Sequence, residues 1–429
     1  MDPPVLMHNT PPEHAHNLYD LISDAHGAPD DDYNHHQWIR PLELPAGTEA
    51  AATFDRSIVE KSFLEHTKGK RKATDVESLR RHWKIILLNL VFVMYQRNWL
   101  LVPGDSKFYS QDNYWTRRLG LSYRPMKTIV DYLRDNNFVE YREGKAYKGN
   151  PVTARISPLP TLTWLLWEYF LKIEQPIEPP YLIVNAPDDG WKSIQHLPDD
   201  HYEAQELTQI NEFLKDQKWA CKAPVQLKYK NSAFQGGRLY TPFQSLPDRR
   251  IRLRINTLIN DAPIGEVDFS ANHLRLNLAQ NGGGFAGDTP YEDIAESAGL
   301  KEADSQAREK VKKFITFAMG SSDEKAARSL CHFNGIDNTQ FEALVTSTQK
   351  LYPKLTLFAG WGIYAQNYEG QILKEVMLEG VRNDIVCLPV HDAVAVQQEH
   401  LQWAEETMLE CWDRQMETTG AARVKIDTP

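Results

Sequence analysis

The hydrophobic pattern of the chain changes sharply near residue 270. An apolar run from Ile264 to Phe269 predicts a β-strand, a polar turn of three residues follows, and a helical spacing of apolar residues begins at Leu274. The strand therefore brings the carboxylate of Asp268 close to its end. The simplest interpretation of such an aspartate is a helix cap, a role that Asp often has.

A second β-rich segment, 385–396, consists of two apolar runs with His391 and Asp392 between them. This pattern predicts a hairpin with the His-Asp pair at its turn. Two carboxylates at adjacent strand ends would raise each other's pKa, and divalent cations would relieve that repulsion. Because carboxylate and carbonyl oxygens are the ligands that Mg²⁺ prefers, the two segments together predict a magnesium site.

Upstream, residues 75–97 have an apolar face of helical spacing and predict a buried helix. The segment after it has the pattern of a winged helix-turn-helix, in which the second helix enters the major groove of DNA. It predicts helices over 114–119 and 123–136 and wing strands over 138–141 and 146–156. The cations that would reach phosphates or bases are Arg124, Lys127, Arg134, Lys145 and Lys148. A winged helix used only for protein contacts is the alternative interpretation.

The net charge of −10 argues at first sight against a nucleic-acid partner, but the charge is unevenly distributed. Residues 1–55 hold ten Asp and Glu against one Arg, whereas residues 56–150 hold nineteen Lys and Arg against ten Asp and Glu. A local basic surface matters more for phosphate binding than the total. Four scattered cysteines and the lack of a signal-peptide or membrane-spanning pattern predict a cytoplasmic protein without a membrane partner.

Several segments, taken in order, resemble the palm and fingers of family A DNA polymerases and of the phage-type single-subunit RNA polymerases. The motifs are Gly237-Arg238-Leu239, Asp268-Phe269-Ser270 followed by Leu274-Arg275, the helical segment 307–322 with its Gly320-Ser321 ending, and Val390-His391-Asp392. The resemblance covers residues 231–429. It implies an α+β fold with an antiparallel-sheet palm and helical fingers, preceded by the helical and winged-helix region.

The resemblance also implies roles for single residues. Asp268 and Asp392 would bind two Mg²⁺ ions, with the Phe269 carbonyl as a further ligand. The nucleotide-binding residues would be Arg308, Lys312, His273 and Met319. The primer- and template-binding residues would be Arg238, His391 and Arg275. The implied partners are a DNA primer-template and nucleoside triphosphates, and the sequence leaves the oligomeric state open.

Three departures from the family pattern concern the nucleotide. The family's DNA polymerases carry Glu five residues after the first Asp, where it crowds the sugar 2′ position, and this chain has His273 there. Met319 replaces an aromatic residue, which weakens stacking on the incoming base. Lys312 stands one residue too close to Gly320, so Lys310 or Lys313 could take its role. We therefore expect weaker selection of deoxynucleotides over ribonucleotides, with the metal chemistry intact.

Three functions remain open at this point. The first is a compact DNA-directed DNA polymerase, the second is a primase or RNA polymerase on the same palm, and the third is a non-catalytic replication initiator or DNA-binding regulator. The presence of both Asp268 and Asp392 argues against the third. The expected parts are an irregular acidic segment (1–55), a helical and winged-helix DNA-binding domain (56–158), a helical connector or reduced thumb (159–230), and the family A-like palm and fingers (231–429).

Overall fold

The computed structural model consists of helices and mainly antiparallel sheets, in agreement with the expected α+β class. It describes residues 36–94, 98–111, 116, 118–144, 146–147, 150–151, 153–185, 194–196, 201–230, 232–246, 248, 252–300 and 304–429. Within these residues, no helix is long and apolar enough to cross a membrane.

The chain divides into two compact units. The first contains Met1–Pro176, Ala220–Ala223 and Ser245–Arg254, and the second contains Ile177–Trp219, Pro224–Gln244 and Ile255–Pro429. The finer four-part division expected from the sequence stays a prediction.

The first unit surrounds one long apolar helix. Its helices are α1 (Glu49–Thr53), a π-helical continuation (Phe54–Leu64), α2 (Glu65–Thr67), α3 (Ala73–Met94), α4 (Ser106–Ser110), α5 (Tyr123–Asp135) and α6 (Pro160–Leu166), followed by a 3₁₀ segment (Trp167–Lys172). Its strands are β1 (His36–Gln37), β2 (Trp99–Leu101), β3 (Val139–Arg142), β4 (Ala146–Tyr147), β5 (Asn150–Pro151) and β6 (Arg155–Pro158). The predicted apolar face of α3 is buried, and Trp83 on this helix stacks on Phe63 with ring centroids 4.7 Å apart.

A buried histidine fixes the start of α5 against α3. The Nδ1 of His82 lies 2.6 Å from the Ser78 carbonyl oxygen, and its Nε2 accepts a hydrogen bond from the Ser122 backbone N–H at 2.9 Å. Burial lowers the pKa of His82 to about 4. A neutral ring can donate at one nitrogen and accept at the other, as this position requires.

Helix α5 and strand β3 agree with the predicted second helix and first wing strand. The predicted second wing strand, 146–156, was wrong in extent, because β4 pairs with β5 and only β6 pairs with β3. Because β4 and β5 pair antiparallel with each other, the chain reverses direction within the predicted strand, which therefore cannot be continuous. The predicted first helix, 114–119, lies largely outside the described residues. Lys145 and Lys148 also lie outside them.

Among the described residues, the second unit contains two sheets and most of the helices. Its strands are β7 (Leu182–Asn185), β8 (Ile194–His196), β9 (Gln226–Lys230), β10 (Ser232–Tyr240), β11 (Leu258–Ile259), β12 (Ala262–Phe269), β13 (Leu388–Val390), β14 (Ala393–Gln397) and β15 (Val424–Asp427). Its helices are α7 (Tyr202–Lys215), α8 (Asn272–Gln280), α9 (Pro290–Ser297), α10 (Asp304–Gly320), α11 (Glu324–Phe333), α12 (Asn338–Leu351), α13 (Gly362–Arg382) and α14 (Leu401–Met416), with a 3₁₀ turn at Gln398–His400. A further 3₁₀ turn, Phe243–Ser245, includes the chain boundary between the two units.

The sheet that carries the predicted metal ligands is antiparallel throughout. Within the described residues its order is β11-β12-β14-β13. Strand β15 pairs with the edge of β12 that is opposite β14. Strand β12 therefore lies between β14 and β15, and Val267 on it is fully buried between Val394 and Ile426 in the register. The other sheet has the order β10-β9-β7-β8 and contains one parallel pair, β7 with β9.

Helix α13 packs on β10 with no space for a side chain between them. A Cβ added to Gly370 would overlap the Gly237 carbonyl. Gly236 and Gly237 have φ of 75° and 80°, and the pairing register of β10 with β9 shifts at this point. This bulge turns the strand so that the next residue, Arg238, faces the helix.

We expect Gly370→Ala to destabilise the protein by about 3 kcal/mol or more, the upper range for overpacking, because the obstructing group is backbone. Gly104→Ala is the matched control, since a Cβ there meets nothing within 4 Å. Urea denaturation of both variants measures the difference. Equal stability of the two would show that α13 and β10 can separate at little cost.

Candidate active site

Two aspartates meet at the ends of neighbouring strands. Asp268, the second-last residue of β12, lies opposite Ala393, the first residue of β14. Asp392, the turn residue directly before Ala393, is therefore the diagonal neighbour of Asp268. The Phe269 N–H points to the Asp392 carbonyl at 3.5 Å. The predicted strand and hairpin are thus confirmed, and they bring the two carboxylates together. His391 adopts the left-handed conformation (φ 58°) in the turn and is exposed.

The surroundings of Asp392 disfavour its ionised form. Burial, then Glu369 and then Asp268, raise the pKa of Asp392 to about 7. On the other edge of β12, Lys425 of β15 places its Nζ 2.8 Å from an Asp268 carboxylate oxygen. A site that raises the pKa of one carboxylate and pairs the other with an ammonium group is one that favours cations.

A third carboxylate, Glu369 on α13, is buried beside this pair with 1% of its surface exposed. Its Oε2 accepts hydrogen bonds from Nε and Nη2 of Arg238 at 2.8 and 2.5 Å. Its Oε1 lies 2.7 Å from the Nε2 of His273 and accepts from the Asn272 amide at 3.3 Å. The Asn272 side chain in turn accepts from the indole N–H of Trp412 on α14 at 3.1 Å. We call Arg238, Asn272, His273 and Glu369 the Glu369 cluster.

The pKa values in the Glu369 cluster show which charges it holds. Burial alone would raise the pKa of Glu369, but His273 and Arg238 outweigh it and the pKa is lowered. Burial alone would lower the pKa of His273, but Glu369 outweighs it and that pKa is raised. The cluster therefore stabilises an anionic glutamate between a guanidinium and an imidazolium.

The candidate sugar-selecting residue is thus engaged inside the protein. The Nε2 of His273 is occupied by Glu369, and it also lies 3.4 Å from Nη2 of Arg238. Arg238 lies within electrostatic reach of Asp392, which contributes to its raised pKa. Its predicted contact with the primer stays a prediction. His273 and Arg238 both belong to the Glu369 cluster, and both act on the carboxylate of Asp392 by lowering its pKa.

Arg275 lies apart from these residues and is 3% exposed. Its guanidinium donates to four carbonyls, those of Ser270, Ala286, Gly287 and Ala421, at 2.7 to 3.1 Å. This arrangement favours a structural role, in which Arg275 holds the loop after α8 and the approach to β15, over the predicted contact with primer or template.

The predicted nucleotide-binding helix is α10, and its residues differ in availability. Arg308 is half-buried, pairs with Glu292 at 2.9 Å and lies over the ring of Tyr291 at 5.6 Å. Lys312 is exposed. Met319 is fully buried in the helical core, so it offers a nucleotide no surface in this arrangement.

Tyr291 on α9 connects this helix with the aspartate pair. Burial and then Asp392 raise the pKa of its phenol to about 12, whereas Arg308 acts in the opposite direction. Tyr291 is therefore within electrostatic reach of both residues. The sequence pattern did not point to it, because a tyrosine after Pro290 in a short amphipathic helix looks like an ordinary core residue.

The sequence pattern did not point to Glu369 or Lys425 either. A usable signal existed for Glu369, since it shares the helical spacing of the buried Ile372, Leu373 and Val376, and a carboxylate on an apolar face needs a buried partner. Lys425 had no such signal, because its closeness to Asp268 depends on the pairing of β15 with β12.

The carboxylate oxygens of Asp268 and Asp392 are of the kind that Mg²⁺ prefers as ligands. Among the described residues, no group of three or more His, Cys, Asp or Glu side chains could hold a metal ion. Mg²⁺ is commonly bound by one or two carboxylates with water and substrate phosphates rather than by a complete protein cage. Asp268 and Asp392 would supply those two carboxylates, and their role as metal ligands, like that of the Phe269 carbonyl, stays a prediction.

Comparisons with known proteins found a distant likeness only. No family model and no curated protein matches the chain. Among solved structures it is similar to the POL domain of Pol1 from M. smegmatis in complex with DNA primer-template and dNTP, with 13% identity and a TM-score of 0.34. The match covers 53% of this chain and 51% of that chain, so this chain matches about half of the other's length. A likeness of this size indicates neither family nor activity.

We expect Glu369→Gln to lower the pKa of His273, because the anion that holds the imidazolium is removed while the shape of the side chain is kept. Nitrogen-detected NMR titration of the histidine rings measures it. Glu375→Gln, on the same helix and partly exposed, is the matched control and should leave His273 unchanged. An unaltered titration in Glu369→Gln would contradict the charge assignment of the cluster.

The raised pKa of Asp392 predicts how the metal-free protein responds to pH. The native state keeps a proton that the unfolded chain releases, so the free energy of unfolding should fall as pH rises from the unfolded pKa toward about 7. His273, whose pKa is also raised, contributes with the same sign. A folded-state pKa that lies one pH unit above the unfolded one corresponds to about 1.4 kcal/mol of this free energy.

Urea denaturation in the presence of a chelator, between roughly pH 5 and 8, tests this expectation. The decline should be clearly smaller in Asp392→Asn, which cannot titrate at this position. Parallel pH profiles for the wild type and the variant would show that Asp392 ionises normally.

Proposed function

We propose that the chain is a template-directed nucleotidyltransferase, most specifically a DNA-directed DNA polymerase with a family A-like palm (the β11–β15 sheet) and helical fingers (α9–α12). The observation that carries the proposal is the meeting of Asp268 and Asp392 at adjacent ends of an antiparallel sheet, in a cation-favouring environment. Two carboxylates so placed suit phosphoryl transfer with divalent metals.

The side chains around the pair have distinct tasks in this proposal. Asp268 and Asp392 hold the Mg²⁺ ions, which when bound neutralise the triphosphate and activate the primer 3′-hydroxyl. Arg238 uses two of its guanidinium nitrogens on Glu369 and is thereby oriented toward the primer end. Lys312 and Arg308 on α10 provide positive charge for the β- and γ-phosphates, where charge grows as pyrophosphate leaves. For Arg308 this requires release from Glu292.

The first unit has a separate task in this proposal, which is to bind duplex DNA through its winged helix. Support comes from helix α5, which is followed by the antiparallel pair of β3 and β6 and begins with the exposed residues Arg124 and Lys127. A primer-template and nucleoside triphosphates are the proposed partners of the whole chain.

We expect Asp268→Asn and Asp392→Asn each to reduce nucleotide addition by at least about a hundredfold, the size of effect seen when one preorganised electrostatic group is removed from an active site. Primer extension with Mg²⁺ and each class of nucleotide measures the loss. Asp384→Asn, an exposed carboxylate eight residues before Asp392, is the control and should stay active. Near-normal extension by either active-site variant would rule out the two-metal assignment.

A further inference from the structure

A loop of the first unit carries an unusual density of positive charge. Between α2 and α3 the chain reads Lys68-Gly69-Lys70-Arg71-Lys72, and all five residues are exposed. We call residues 68–72 the basic loop. Within the described residues, its three lysines make no ion pair with any carboxylate.

The fourth cation fastens the basic loop to the protein. One nitrogen of the Arg71 guanidinium donates to the backbone carbonyls of Thr67 and Lys68, the latter at 2.9 Å. The other terminal nitrogen of Arg71, Nη2, donates to the hydroxyl of Thr128 on α5 at 3.3 Å. The loop is therefore held beside the helix that the sequence analysis assigned to DNA, and its lysines are left facing solvent.

The cations on α5 itself are largely neutralised by their neighbours. Lys127 pairs with Asp131 at 2.7 Å. Arg134 pairs with Asp131 at 3.3 Å and with Asp135 at 2.9 Å. Arg124 is exposed as they are, but it differs in making no ion pair with any described carboxylate. It stands one helical turn before Thr128, on the face that the basic loop touches. The available positive charge therefore lies in the loop and at Arg124.

The surroundings of the basic loop indicate which polyanion fits it. Every exposed large hydrophobic residue identified in the described part of the chain belongs to the second unit. An amphipathic membrane contact needs apolar side chains to insert, and single-stranded nucleic acid is typically held by exposed aromatic rings. A surface of lysines without either suits the regularly spaced phosphates of a duplex.

We propose that the basic loop and Arg124 form a binding surface for the phosphate backbone of double-stranded DNA. It supplies a sequence-independent part of the affinity, since backbone contacts position a protein on DNA without reading bases. This surface rests on the duplex-binding task proposed for the first unit and extends it beyond the winged helix, but it does not depend on nucleotidyl transfer by the second unit. Its failure would therefore leave the proposed polymerase activity untouched, and the converse also holds.

The experiment uses the full chain and a blunt, fluorescently labelled duplex of arbitrary sequence, without nucleotide or Mg²⁺. Anisotropy titrations over a range of salt compare wild type with Lys68→Gln/Lys70→Gln/Lys72→Gln. We expect the variant to bind at least tenfold more weakly at low salt and its salt slope to be shallower by about 2.7, which is about 0.9 for each lost phosphate contact. Adding Arg124→Gln should remove about 0.9 more.

Two controls distinguish a specific surface from charge in general. Lys215→Gln/Lys325→Gln/Lys350→Gln removes three exposed lysines of the second unit and should keep the wild-type slope. Lys68→Arg/Lys70→Arg/Lys72→Arg retains the charge and should retain the affinity. Unchanged binding by the Gln variant of the loop, or an equal loss in the second-unit control, would overturn the proposal. So would loop-dependent binding to anionic lipid vesicles combined with loop-independent binding to the duplex.

Discussion

The carboxylate of Glu369 must remain neutralised in the interior, and much of the second unit is arranged around that requirement. An unpaired buried charge costs several kcal/mol, so removal of either cation would leave an anion that the protein cannot solvate. Arg238 comes from β10, His273 and Asn272 come from the start of α8, and Asn272 accepts from Trp412 on α14. One side chain of α13 thus holds three other elements at the edge of the aspartate pair.

Helix α13 is held in place by a second buried charge cluster, one to two turns further on. Lys374 is 1% exposed and pairs with Glu206 at 2.6 Å and Glu203 at 3.3 Å. Glu203 also accepts from the hydroxyl of Tyr229 at 2.7 Å. These contacts tie α13 to α7 and β9, and a rotation of the helix would break both clusters at once. The orientation of Arg238 near the aspartates therefore depends on packing well outside the site.

The sequence was most informative where chemistry and local pattern coincide. The strand that ends near Asp268 and the hairpin around Asp392 could be predicted, because apolar runs and a polar turn are local features. The partners of Glu369 could not, since hydrophobic periodicity identifies a helix but says nothing about which distant cation faces it. The second wing strand was predicted too long because the residue pattern did not reveal the antiparallel pairing of β4 with β5 inside it. The pairing of β15 beside Asp268 depends on the fold of the whole unit, which no local pattern encodes.

Strand β15 has a practical consequence for anyone who produces the protein. It begins at Val424, pairs with the strand of Asp268, and carries Lys425 to that carboxylate. A deletion or proteolytic cut that removes residues 424–427 would therefore take away one edge of the sheet that carries Asp268, together with the ammonium group paired with that carboxylate.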